Sequence, residues 1–132
     1  MKVFRLEEAN ALIPVVRPLL EELVRRRRDL AIKLLEADTA QRMTGDIGGA
    51  QRAATQARQA EAMQEEVLGL IEIVQKHGCV VKDLDLGLVD FPALRNGQLI
   101  NLCWKMDEPT IAFWHAMDEG FAARKSIARR RK

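Results

Sequence analysis

The chain of 132 residues is the length of one domain, able to bury about two-thirds of its unfolded surface. Its 48% hydrophobic and 30% charged residues are those of an ordinary soluble globular protein, and no apolar run nears the roughly 20 residues needed to span a bilayer. The net charge of +2 hides a division: Arg124, Lys125, Arg129, Arg130, Arg131 and Lys132 form an acid-free basic tail on a mildly acidic body.

The first eight residues lack a long apolar core and turn acidic at Glu7-Glu8, unlike a signal peptide. With only Cys79 and Cys103 as thiols, this points to a cytoplasmic protein with reduced cysteines and no membrane association. Residues 6–38 read as a long helix. Its apolar positions recur every eleven residues, as in Leu12, Leu23, Leu34 and Ile13, Val24, Leu35, which runs a nearly straight stripe along the helix. Pro14 and Pro18 predict a break near Ile13 and a bend, since an internal proline removes a hydrogen bond and crowds the preceding turn. Arg25 to Arg28 spread around one full turn, with Arg27 on the stripe. The Gly45, Gly48 and Gly49 region makes the tip of a helical hairpin.

The return helix, 50–77, carries a heptad of Ala53, Ala57, Ala60, Gln64, Val67, Ile71 and Val74. Small residues near the tip allow close helix approach, but leave an apolar surface that a monomer does not cover. The expectation is a homodimer or another helical partner on that surface. Gly78 caps the helix. Residues 79–118 then read as a small antiparallel β-meander. A short strand at Cys79–Val81 is followed by Leu86–Phe91 closed by Pro92, an Asn96-Gly97 hairpin turn, and a strong strand from Gln98 to Lys105. Ile111, Phe113 and His115 alternate with Ala112, Trp114 and Ala116, and aromatic content favours a last strand over a helix opened by Pro109. The basic tail occupies 120–132. The fold class is α+β in a single domain, 1–132: a long antiparallel helical hairpin at 6–77, the meander at 79–118, and the tail.

Chemistry-bearing residues gather in the second half. Asp90, Arg95, Trp104, Glu108, Trp114, His115 and Arg124 form the candidate ligand site. His115 can shuttle a proton or ligate a metal, and Cys103 could neighbour it across a hairpin, with Cys79 or Glu108 to complete a metal set. The ligand spacing is nevertheless a poor zinc inventory, so neither metal nor cofactor is expected. Asp90 stands between the apolar Val89 and Phe91, where a strand carboxylate calls for a cationic partner, with Arg95, Lys105 or Arg124 as the expected ones. Catalytic residues are not identifiable from the sequence.

Gly87-Leu-Val-Asp-Phe-Pro92, Gly97-x-x-Ile-x-Leu-Cys-Trp104, Glu108, Ile111-x-Phe-Trp-His115 and Gly120-Phe-Ala-x-Arg124, with Ala9-Asn10 and Leu12-Ile13-Pro14 near the start, resemble domain-of-unknown-function family 2203. The resemblance covers nearly the whole chain. It departs at Met106-Asp107, where the family pattern has a Gly before the Glu. It implies a small bacterial cytosolic protein of uncharacterised activity, and brings no catalytic residue or cofactor with it. The leading expectation is a non-enzymatic interaction or ligand-binding module that self-associates through its hairpin and binds a protein or small ligand on the sheet. Two alternatives stand beside it. One is a small-ligand enzyme or sensor built on Asp90, Glu108, His115 and Arg124. The other is nucleic-acid binding through Arg124, Lys125, Arg129, Arg130, Arg131 and Lys132, which is less favoured because aromatic content is only 5% with no Tyr to stack on bases.

Overall fold

In the computed structural model, residues 1–43 and 45–127 are described. Two helices, α1 (Leu6–Arg42) and α2 (Gly49–Gln75), form an antiparallel hairpin. Five strands follow: β1 (Val80–Asp83), β2 (Leu88–Arg95), β3 (Gln98–Lys105), β4 (Phe113–Ala116) and β5 (Lys125–Ser126). They make an antiparallel meander in the order β1-β2-β3-β4-β5. The fold is therefore α+β, a helical hairpin followed by a β-meander, and 110–118 contributes a strand rather than a helix. No described helix is long and apolar enough to cross a membrane.

The helix α1 runs unbroken through both prolines, contrary to the expected break near Ile13. Pro14 and Pro18 both lie on the exposed side. The carbonyls that lose their donors, those of Asn10 and Pro14, belong to the same side of the helix and can turn toward water. Burial of Ala9, Ile13, Val16, Leu20, Leu23 and Val24 on the other face holds the helix together across the two missing hydrogen bonds. In α2, Ala53, Ala60, Val67 and Val74, every seventh residue, are buried, with Met63, Leu70 and Ile71 packed beside them. Of the second row expected on this seam, Ile71 packs against the core at the base, whereas Ala57 and Gln64 are exposed and Met63 packs there instead, three residues after Ala60.

The apolar face of the sheet, built from Val89, Phe91, Ala93, Ile100, Leu102 and Trp104, joins the base of the hairpin in one core. Phe4 meets Phe91 edge to face, with ring centroids 5.3 Å apart. Its backbone N–H donates to the Pro92 carbonyl at 2.7 Å. This explains why β2 continues past Pro92 instead of closing there. The Pro92 carbonyl, and with it the donorless nitrogen, points away from β3 toward Phe4, so the β2–β3 ladder loses nothing. Asn96 and Gly97, with φ of 51° and 78°, close the β2–β3 hairpin in the doubly left-handed form that suits strand twist. The turn at Met106-Asp107 closes through a Glu108 N–H to Lys105 carbonyl hydrogen bond of 2.8 Å, with no left-handed residue, so it does without the family's glycine.

Toward the tip, Leu34 and Leu35 of the expected stripe are exposed. Contacts between the helices here are polar or small: Lys33 Nζ donates to the side-chain oxygens of Gln56 and Gln59, both at 3.0 Å.

Phe91 is fully buried where sheet, helices and Phe4 meet. Phe91→Ala is expected to cost about 3–5 kcal/mol in urea unfolding. Leu94→Ala, on a side chain 62% exposed three residues along, is expected to change stability by no more than about 0.5 kcal/mol.

Candidate functional site

Strand register decides which polar side chains meet. Paired residues of an antiparallel sheet share a face. Asp90 lies opposite Cys103, and Asn101 opposite His115, so all four stand on the face turned away from the helices. They are nevertheless buried: Asp90 and His115 are each 2% exposed, and Cys103 and Asn101 are also buried. The chain following β4 helps to close this face. A single 3-10 turn at Phe121–Ala123 delivers Arg124, whose guanidinium stacks on the rings of Phe113 and Phe121 at 4.0 and 4.3 Å. The same group pairs with Glu108 at 3.0 Å, and its charge bears on the neighbouring Cys103 thiol.

His115 Nδ1 lies 2.8 Å from the Ala116 carbonyl oxygen. A carbonyl only accepts, so Nδ1 carries a proton and donates it. A neutral imidazole then presents the lone pair of Nε2, at 3.2 Å from Asp90 Oδ1 and 3.1 Å from Oδ2. Lone pair facing carboxylate is unfavourable, so a proton or another cation must stand between them. Oδ2 accepts no hydrogen bond despite its burial. Burial, the largest cause, raises the Asp90 pKa above its ordinary value, and the charge of His115 opposes it. Burial likewise pushes the Cys103 thiol up to about 12, with the Asp90 charge adding to the effect. For Arg124, burial is the largest cause and works against the charge, but the hydrogen bond it donates to Glu108 and the charges of Glu108 and Cys103 together hold the group above its ordinary range. Oxygen, sulfur and nitrogen ligand atoms of Asp90, Cys103 and His115 all lie within 4.8 Å of one another.

The seven residues of the candidate ligand site do not converge on one pocket. Asp90 and His115 pair on the outer face, with Glu108 and Arg124 pairing beside Cys103. Trp104 and Trp114 share the opposite, helix-side face. Trp104 is wholly buried, donates its indole N–H to the Glu108 carbonyl at 2.9 Å, and lies under Arg17. Trp114 is half-buried at the sheet edge, with Arg95 and Lys125 stacked over it at 4.7 and 4.8 Å. It lines an apolar cavity of about 260 Å³ with Phe4, Leu6, Leu94, Ile100 and Ile127.

Cys103, Asn101 and Arg17 stand outside the seven residues expected to form the site. Cys103 and Asn101 alternate correctly in the sequence, but which neighbours they face depends on register. Arg17 has no local signal at all, yet its guanidinium donates to the carbonyls of Met106 and, at 3.0 Å, Glu108, fastening α1 to the β3–β4 loop. The expected tail begins later than Gly120: Arg124 and Lys125 belong to the folded sheet edge, and Lys125 pairs with Glu119 at 2.9 Å. Arg129, Arg130, Arg131 and Lys132 lie outside the described residues.

The model of a family described as uncharacterized conserved protein (DUF2203) matches residues 2–127. No curated protein and no solved structure matches the chain.

Between the ordinary aspartate value of 3.8 and its raised value in the fold, the folded state holds a proton on Asp90 that the unfolded chain has lost. Stability from this group is present below that window and falls as pH rises through it, by at most about 1.4 kcal/mol per pH unit. Asp90→Asn supplies an amide donor for Nε2 in place of that proton. The expected result is that the variant folds and lacks this slope when unfolding free energy is measured against pH.

Proposed function

The chain belongs to the DUF2203 family, and we propose that it is a cytoplasmic interaction module that acts as a homodimer through the outer face of its hairpin. The observation that carries this reading is the groove on distal α1, where Ile32 is 57% and Leu35 70% exposed, with Glu36, Thr39 and Ala40 along the same wall. Apolar side chains at this spacing form a stripe that a soluble protein gains by covering. Each Ile or Leu buried contributes about 1.5–3 kcal/mol relative to exposure.

A second copy suits the stripe better than an unrelated helix because of the flanking charges. Arg28 lies one turn before Ile32 and Glu36 one turn after it, each four residues away. A twofold axis near Ile32, with the helices antiparallel, sets Arg28 of each copy against Glu36 of the other. Arg28 makes no ion pair among the described residues, and Glu36 has only the surface pair with Lys33 at 3.0 Å to give up. The polar residues of the sheet support an interaction role over catalysis, since Asp90 with His115, Glu108 with Arg124, and Arg95 with Trp114 are already engaged within the chain. Free, buried Cys79 and Cys103 suit a reducing compartment.

Light scattering across a concentration series is expected to give the mass of a dimer, and Ile32→Glu with Leu35→Glu the mass of a monomer. Arg28→Glu alone weakens association, and adding Glu36→Arg to the same chain restores it, because the twofold rebuilds both pairs with reversed sign. A strict monomer at high micromolar concentration rules the dimer out.

A further inference from the structure

We propose that Asp90, Cys103 and His115 form a binding site for a borderline-soft divalent cation, best matched by Zn²⁺. The three side chains come from adjacent strands β2, β3 and β4 and offer one oxygen, one sulfur and one nitrogen. With Zn–O and Zn–N distances of about 2.0–2.1 Å and Zn–S of about 2.3 Å, tetrahedral geometry places ligand atoms roughly 3.3–3.8 Å apart. Asp90 and His115 stand at 3.1–3.2 Å, and all three ligand atoms fall within 4.8 Å, so movement of a few tenths of an ångström to about one ångström completes the set.

Three independent features favour a cation here. The first is the His115 tautomer. Donation from Nδ1 to the Ala116 carbonyl leaves Nε2 as the ligating atom, the backbone support that metal-binding histidines commonly have. The second is Asp90 Oδ2, buried, aimed into the cluster, and without a hydrogen bond. The third is charge. A carboxylate and a thiolate together neutralise a divalent ion, while nearby Arg124 is already neutralised by Glu108. Mixed sulfur and imidazole ligation selects against Mg²⁺ and Ca²⁺, which require oxygen. On binding, the ion takes the place of the proton held between Asp90 and His115 Nε2, and that proton and the Cys103 thiol proton both go to solvent as the metal–ligand bonds form. Three protein ligands leave a fourth position for a water molecule.

The test uses full-length, tag-free protein. Co²⁺ titration is expected to give a thiolate charge-transfer band that saturates at one ion per chain and is displaced by Zn²⁺. The band persists in Cys79→Ala and disappears in Cys103→Ser, whose Zn²⁺ affinity falls at least about tenfold, the lower bound for losing even an outer partner of a ligating histidine. As a readout that needs no variant, Zn²⁺ but not Mg²⁺ raises the melting temperature of the wild-type chain, and a chelator reverses it. Absence of the Co²⁺ band, a band that depends on Cys79 rather than Cys103, or equal thermal shifts from Zn²⁺ and Mg²⁺ would each overturn the proposal.

Discussion

The pairing register of β2, β3 and β4 is the constraint on which the rest depends. One set of pairs, Phe91 with Leu102 and Leu102 with Trp114, makes the surface that receives the helices. The interleaved set, Asp90 with Cys103 and Asn101 with His115, makes a polar surface on the other side. A slip of one residue would exchange the two, placing a carboxylate against the helical core and Phe91 against Arg124. The core and the polar cluster are thus specified by the same backbone pairing. Phe4 and Arg17 reinforce it from outside: Phe4 binds the Pro92 carbonyl at one edge, and Arg17 binds the carbonyls that follow β3.

A polar face on a sheet is ordinarily solvated, and this one is not. The cost of burying Asp90 and His115 is reduced by mutual pairing, by the Ala116 carbonyl, and by the Arg124–Glu108 pair beside Cys103. The stack of Arg124 on Phe113 and Phe121 works in the same direction, because it draws the segment after β4 toward the sheet. Residues that look like a basic tail in the sequence are therefore part of what closes the cluster.

The hairpin divides along its length for a related reason. At its base α1 and α2 share a core with the sheet, and the buried residues are large: Leu20, Leu23, Val67 and Val74. Beyond Leu30, among the described residues, the buried seam narrows to Ala53 and Ala60, with polar contacts from Lys33 to Gln56 and Gln59. A 37-residue helix is about 55 Å long, far more than the roughly 26 Å of an eight-residue strand. The apolar groove around Ile32 and Leu35 lies in this overhang.

Periodicity alone determined the helical hairpin, the antiparallel meander and the Asn96-Gly97 turn, because period 3.6, period 2 and a doubly left-handed turn are local properties of the chain. The motif residues also located the family. Tertiary structure decided what local rules leave open. Pro14 and Pro18 stay within one helix because burial on the opposite face outweighs two lost hydrogen bonds, and Pro92 stays within β2 because its donorless nitrogen happens to face away from β3. Ala57 and Gln64 lie outside the seam because a helix face can be lined at i+3 as well as i+4. The convergence of Asp90, Cys103 and His115, and the separation of both tryptophans from them, required the strand register, which joins residues 25 positions apart and has no signature in either stretch taken separately.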